Sequence, residues 1–422
     1  MHADVVIIGG GLSGLACALT LREHGREPLI LEAADAPGGR VRTDVRDGFL
    51  LDRGFQVLQT WYPEARRFLD YDALDLRPFE TGALVRFGGR MHRVSDVWRR
   101  PGRLAEMMFS PVGHWTDKLR LLGLRRQCLR GDLQALYTAH ERDAITHLRE
   151  MGFSSRIIER FFKPFFSGVF FDPELHVSSR AFEFVFRAFA LGDTALPARG
   201  MEAIPRQLAD RLPAGDLRLN TRVERLEGRR LILESGEQLE AGTVVVATPG
   251  TEAARLLGDP EPFPTRGTTC LYFEAPESPV SGPYLLVNGE GRGRVNNVVC
   301  PAQLSEHYAP AGRQLVGVNL HGAETEPEAL EESVRAEMAA WFGESVRDWR
   351  LIRGYRIPEA LPAQHPPVPY PGAAELRRGE DLWVCGEYPT APSIQWALHT
   401  GRRAAEEIAA ARGGRAPGSA SP

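Results

Sequence analysis

The sequence predicts an α/β protein in which a parallel-stranded dinucleotide-binding domain is interrupted by a second, α+β domain. Three observations predict this. Near the N-terminus, VVIIGGGLSGLACALTLREHGREPLILE sets a β-branched run, a glycine turn, a helical segment and a second apolar run in order, within the roughly 30 residues that a βαβ unit needs. Strand-like segments of the same kind return far along the chain as VVVATP and DLWVCGE. The length of 422 residues exceeds what one core organises, so two domains are expected.

Taken in order, Asp4 to Ile8 have the apolar character of a buried parallel strand, Leu12 to His24 carry a helical signal, and Gly25 stands where a C-cap glycine belongs. EPLILE reads as the next strand. Residues 98–190 are helical in pattern. LRLNTRVERLEGRRLILESGEQLEAGTVVVATP then gives two alternating runs joined near Gly228, a Ser-Gly turn and the buried strand Val244 to Ala247. Residues 265–320 predict further strands, 326–342 an amphipathic helix and 358–372 a proline-rich connection. DLWVCGE is a short strand. The APSIQWALHTGRRAAEEIAAA segment is a helix with Pro392 in its first turn. The closing residues 413–422 have the composition of a disordered tail. This order places the nucleotide domain at 1–75, 191–259 and 376–412, and the interrupting domain at 76–190 and 260–375.

Net charge of −4 and a pI near 6.3 provide no general attraction for nucleic acid. One segment departs from the average: Arg86 to Arg130 holds eleven basic residues against three acidic ones and includes the apolar MMFSPVGHW. That pattern suits either a solvated helical face or peripheral contact with a membrane surface. Five scattered cysteines without a CxxC pair fit a reducing compartment and neither a disulfide framework nor a metal site. The N-terminal apolar run is broken by three glycines and lacks a basic flank, so a cytoplasmic protein, with or without membrane association, is expected.

Gly9, Gly11 and Gly14 satisfy G-x-G-x-x-G, with Leu12 and Ser13 between them at the start of the helix. The first glycine permits the turn, the second admits a pyrophosphate, and the third lets helix and strand approach. Glu32 closes the second strand 18 residues after Gly14, with Ala33 beside it, where a carboxylate can accept ribose hydroxyls. PGGRVRT follows. Gly38 and Gly39 bring backbone close to a ligand, and Arg40 and Arg42 supply the charge of a second pyrophosphate clamp. A nicotinamide site has no need of that clamp, and no second glycine fingerprint is present.

From Gly9 through GGRVRT the sequence resembles the opening of the flavin amine oxidase, protoporphyrinogen oxidase and phytoene desaturase superfamily, which implies a Rossmann-like FAD-binding domain with an inserted α+β substrate domain. DRGFQ, with Gly54, Phe55 and Gln56, resembles the segment that passes the flavin ring. RVERLE resembles the part in which Val223 meets adenine by its backbone. WVCGEYPTAPSIQWALHTGRRAAEEI resembles the C-terminal block over the flavin, which implies contacts from Gly386, Glu387, Ser393, Ile394 and Gln395. The likeness is weak in 75–190 and 260–375, the parts that would select a substrate.

The resemblance implies an FAD-dependent oxidoreductase, with hydride passing from a substrate C–H to flavin and no obligatory general base. Tyr388, Trp396 and His399 are candidates for side-chain assistance, each with an ordinary packing role as the alternative. No lysine follows Lys163, and Ser393 stands where an amine oxidase of this pattern places a cage tyrosine. Both features weaken the amine-oxidase reading. They favour a hydrophobic small-molecule substrate of the desaturase or porphyrinogen kind, and the electron acceptor stays open. RFFKPFFSGVFF and RAFEFVFRAFALG hold ten phenylalanines, enough to wall an apolar tunnel or to fill a core. A redox-neutral flavin isomerase and a non-catalytic prenyl-binding protein on the same fold are the remaining alternatives.

Overall fold

The computed structural model describes residues 2–96, 98–103, 110–260 and 263–413. Of the expected tail, residues 414–422 lie outside the described residues, as do Met107 to Phe109 of the apolar MMFSPVGHW stretch.

The strand His2–Ile8 sits at the centre of a seven-stranded sheet because it is apolar on both faces, with Val5, Val6 and Ile7 fully buried. It pairs in parallel with Pro28–Leu31 on one side and with Gln238–Val246 on the other, so that Val6 stands between Leu29 and Val244. Leu217–Arg218 extends the sheet past Pro28–Leu31. On the far side, the early half of Gln238–Val246 carries the antiparallel strands Arg230–Leu233 and Val223–Glu227. Its later half carries Leu382–Val384 in parallel. The ends of the parallel strands at Ile8, Leu31, Val246 and Val384 therefore open on one edge, where an α/β sheet places its ligand crevice.

The helix Leu12–Glu23 leaves this edge directly, and the C-terminal helix Ile394–Gly413 packs along it. Gly401 sets their approach: a Cβ there would lie 2.1 Å from the carbonyl oxygen of Ser13. The structure also corrects the start of the C-terminal helix. Ile394 is its first residue, so Pro392 stands before the first turn, and Ser393 caps the helix through its Oγ, which accepts from the Trp396 amide at 3.2 Å.

A second seven-stranded sheet runs in the order Arg350–Pro362, Thr265–Ala275, Gln314–His321, Val295–Val299, Leu286–Asn288, Gly82–Phe87, Arg90–Ser95. Its pairings are antiparallel except between Leu286–Asn288 and Gly82–Phe87. The helix Pro327–Phe342 covers one face, with Leu330, Val334 and Met338 in a core shared with Leu271, Phe273 and Val318. The expected proline-rich connection at 358–372 is strand as far as Pro362. Pro358 is tolerated because this is the sheet edge and the register against Thr265–Ala275 shifts beside it. A helical layer, including Trp115–Cys128, Lys163–Phe170 and Ser179–Leu191, completes the fold.

Candidate functional site

The three fingerprint glycines serve three different ends. Gly9 has φ +108° and approaches Ala247, whose carbonyl oxygen would be 2.8 Å from a Cβ at that position. At Gly14 a Cβ would fall 2.0 Å from the Gly9 carbonyl oxygen, so helix and strand meet there without room for any side chain. Gly11 differs, because nothing lies within 4 Å of the point where its Cβ would stand. Its missing side chain leaves open space above the N-terminus of a 12-residue helix whose first amides receive no side-chain cap. That geometry suits a phosphate group.

Glu32 is held against this loop at the end of its strand. Its Oε2 accepts the Gly10 amide at 2.6 Å and its Oε1 the Ala34 amide at 2.7 Å, which orients a buried carboxylate beside the open space. The amide of Gly38 donates to the Gly10 carbonyl at 2.9 Å, and Gly11 and Gly38 form a parallel bridge. Gly39, at φ +59°, would bring a Cβ to 3.5 Å from the Gly11 Cα. Gln56 Nε2 donates to the Arg40 carbonyl at 2.8 Å. Arg40 itself donates to the Ala360 carbonyl and is ion-paired with the half-buried Glu387, so the second glycine loop is tied to the C-terminal block. Burial raises the Glu387 pKa, and the Arg40 charge works against that rise.

Arg42 is placed differently from Arg40. Its buried guanidinium donates to Glu202 at 3.1 Å, to Asp35 at 3.0 Å and to the Ala36 carbonyl at 3.4 Å. Those partners make it a fastening of the Gly200-Met201 turn. Glu202, which sequence reasoning missed, is the hub of that fastening, since it also accepts from the Thr43 amide and from Arg206. Asp52, the first residue of DRGFQ, was missed as well. It accepts from Thr43 Oγ1 at 2.5 Å, the Met201 amide at 2.9 Å and Tyr308 OH at 2.8 Å. Burial pushes its pKa up to about 6 against the pull of those three bonds. No local motif signals either acid, because Glu202 meets Arg42 and Thr43, and Asp52 meets Met201 and Tyr308, only through the fold.

In the C-terminal block, Gly386 has φ +145° and its amide donates to Thr400 Oγ1 at 2.9 Å. Gln395 Oε1 accepts the Glu64 amide at 2.9 Å. Trp396 is enclosed by the rings of Tyr137, Phe184, Tyr370 and His399. His399 Nδ1 lies 2.9 Å from Glu64 Oε1, and Arg402 pairs with the same carboxylate at 2.5 Å. Burial opposes ionisation of Glu64, but the bonds from His399 and Arg402 prevail and hold its pKa down to about 2. Tyr388 packs on Phe263, their ring centroids 5.1 Å apart, and under Gly250 in the core beside Val244 and Val384. Val223 is buried, and its carbonyl accepts from Arg255 at 3.3 Å.

An apolar cavity of about 210 Å³ lies between the helical layer and the second sheet. Phe161, Phe165, Phe166, Phe186 and Phe189 wall it, and Phe55 of DRGFQ reaches it from the loop next to Gln56. The ten phenylalanines therefore divide. Five line the cavity, whereas Phe162, Phe170, Phe182 and Phe184 are buried core and Phe171 ends a helix in the left-handed conformation. Tyr388, Trp396 and His399 do not line it. Two carboxylates line it: Glu80 pairs with Arg100, and Asp96 accepts from the Trp98 amide. Among the described residues no cluster of histidine, cysteine, aspartate or glutamate could hold a metal ion.

The flavin containing amine oxidoreductase family matches residues 12–409. A coproporphyrinogen III oxidase of Propionibacterium freudenreichii subsp. freudenreichii is 31% identical over 132 residues, 28% of this chain and 24% of that protein. The chloroplastic protoporphyrinogen oxidase of Nicotiana tabacum is 26% identical over 185 residues, 42% of this chain and 31% of that protein. The chain thus spans less than a third of the length of either curated relative. A solved structure from Exiguobacterium sp. 255-15, described as a candidate protoporphyrinogen oxidase, has a TM-score of 0.73 at 18% identity over 97% of this chain and 99% of that one, which shows a shared fold. With the family match running from the first helix to the last, and with a glycine loop left open above a helix N-terminus, the chain belongs to the flavin containing amine oxidoreductases, whose cofactor is FAD.

Proposed function

We propose that the protein is an FAD-dependent oxidoreductase that dehydrogenates an extended apolar substrate of the porphyrinogen or carotenoid-precursor kind. The observation that carries this reading is the phenylalanine-walled cavity that reaches Phe55. Two relatives named for porphyrinogen oxidation agree with it.

In this reading the amides at Gly11 to Gly14 and the backbone of Gly38 and Gly39 hold the pyrophosphate, and Glu32 holds the ribose. When bound, FAD supplies the two-electron acceptor for a hydride from a substrate C–H. The chain's own residues orient and dry the site. The five phenylalanines present the substrate by shape and exclude water, and Phe55 fixes the end next to the loop that carries Arg40. Asn297 is a buried polar group on the wall, and its side chain is already engaged. Its Nδ2 donates to Asn296 Oδ1 at 2.6 Å, and its Oδ1 accepts from Asn319 at 2.8 Å.

A cationic amine would need an available carboxylate inside the cavity. Glu80 is paired with Arg100, the cationic Arg99 and Arg125 line the same cavity as Asp96, and no lysine follows Lys163. The test is anaerobic mixing of the flavin-loaded protein with porphyrinogens, carotenoid precursors and amines. Bleaching of the flavin band by a member of the first two classes supports the proposal, and bleaching by amines alone overturns it.

A further inference from the structure

The helix Trp115–Cys128 has two unlike faces. Inward, Leu121 and Arg125 line the apolar cavity, and Leu124 and Cys128 are buried beside them. Outward, Trp115, Leu119 and Leu122 are 62%, 53% and 50% exposed. Their spacing puts them on one face, one above another. Three large apolar side chains in a row on water are unusual for a protein surface and mark a contact site. The same face continues one turn on with Arg126, and Arg130 lies just past the helix end. Both are exposed, and neither forms an ion pair with a described residue. Trp98, itself 37% exposed, lines the cavity beneath the Arg125 guanidinium, 5.1 Å from its ring.

We infer that this face docks on a lipid bilayer carrying anionic headgroups, and that the helix is the wall between that bilayer and the cavity. Charge selects this occupant. Arg126 and Arg130 are the exposed charges that continue this face, and the one acid of the helix, Asp117, is buried, so a second copy packed face to face would oppose like charges. An anionic surface complements them. Tryptophan and leucine side chains at the headgroup boundary, with arginines beside them, are the chemistry of an interfacial helix. The inference deepens the proposed function, on which it rests for its purpose: an apolar substrate dissolved in lipid would enter where the wall meets the bilayer.

The experiment is co-sedimentation of the FAD-loaded full chain with phosphatidylcholine vesicles, with and without phosphatidylglycerol, at low and moderate salt. The expected result is binding to the anionic vesicles that weakens with salt. A W115S/L119S/L122S variant should bind about tenfold or more weakly, and an R126Q/R130Q variant should lose the anionic preference. Flavin content and turnover of detergent-dispersed substrate should not change in either, because these side chains stand outside the cavity. Equal weak binding to both vesicle types would overturn the inference, as would a triple variant that binds like the parent. So would a wild-type dimer that ignores vesicles and dissociates on the triple substitution. Failure of the proposed activity would show separately, as absence of flavin bleaching in detergent.

Discussion

The amide of Gly38 donates to the carbonyl of Gly10 at 2.9 Å, which fastens the second glycine loop directly onto the first. Two short segments, each with little local structure of its own, thereby become one rigid cradle. Glu32 stiffens it by accepting from the Gly10 amide.

The cradle separates ligand binding from folding at two neighbouring glycines. Gly11→Val fills open space, so it is expected to weaken FAD binding by about tenfold or more, roughly 1.4 kcal/mol, with little change in thermal stability. Gly14→Ala presses a methyl group against the Gly9 carbonyl and is expected to destabilise the fold by about 1–3 kcal/mol. Flavin fluorescence titration and denaturant melts on both variants check the pair.

Asp52 makes stability depend on pH in an unusual direction. Its folded pKa, raised by burial to about 6, lies above its ordinary value, so its contribution favours the fold when protonated and declines as pH rises from about 4 to 6. On the order of 3 kcal/mol follows from this one group. The difference in urea stability between wild type and Asp52→Asn should change in that window and stay flat above it.

Glu64 has the opposite sign. Its pKa of about 2 means that its pairing with His399 and Arg402 is fully present above the ordinary carboxylate range and is lost as pH falls towards 2. Glu64→Gln removes the carboxylate that His399 and Arg402 share, leaving Arg402 with Glu406 alone, and is expected to cost about 1–3 kcal/mol. His399→Ala should lower stability yet keep kcat within about threefold of wild type. A loss of kcat far beyond that, with an altered pH–rate profile, would instead assign His399 to the chemistry.

The division among the phenylalanines predicts two different phenotypes. Phe189→Trp narrows the cavity and is expected to lower kcat/KM about tenfold, chiefly through KM, without unfolding the protein. Phe162→Ala, at a fully buried core position, should cost about 3–5 kcal/mol of stability. Steady-state kinetics and thermal melts distinguish them.

The glycine fingerprint was legible because its requirements are local: a turn at Gly9, a close approach at Gly14 and a helix that starts at once. Arg40 and Arg42 look alike in PGGRVRT, but only the fold turns one towards Glu387 and the other towards Glu202. Strand Arg350–Pro362 was hidden by Pro358 because an edge position and a register shift are properties of the assembled sheet. Helical and π-helical periodicity around Phe161 to Phe170 shows that rings cluster, but not which of them border empty space, since Phe55 and Leu285 complete the wall from distant segments. The exposed stripe begins at Trp115, the last residue of the apolar stretch that composition drew out, and runs on through Leu119 and Leu122.

The most direct measurement is a titration of the purified apoprotein with FAD, followed by flavin fluorescence and run beside Gly11→Val. Stoichiometric uptake by the wild type, with binding at least about tenfold weaker in the variant, is the predicted result. A wild-type protein that takes up no FAD, or that prefers a nicotinamide dinucleotide, would contradict the account.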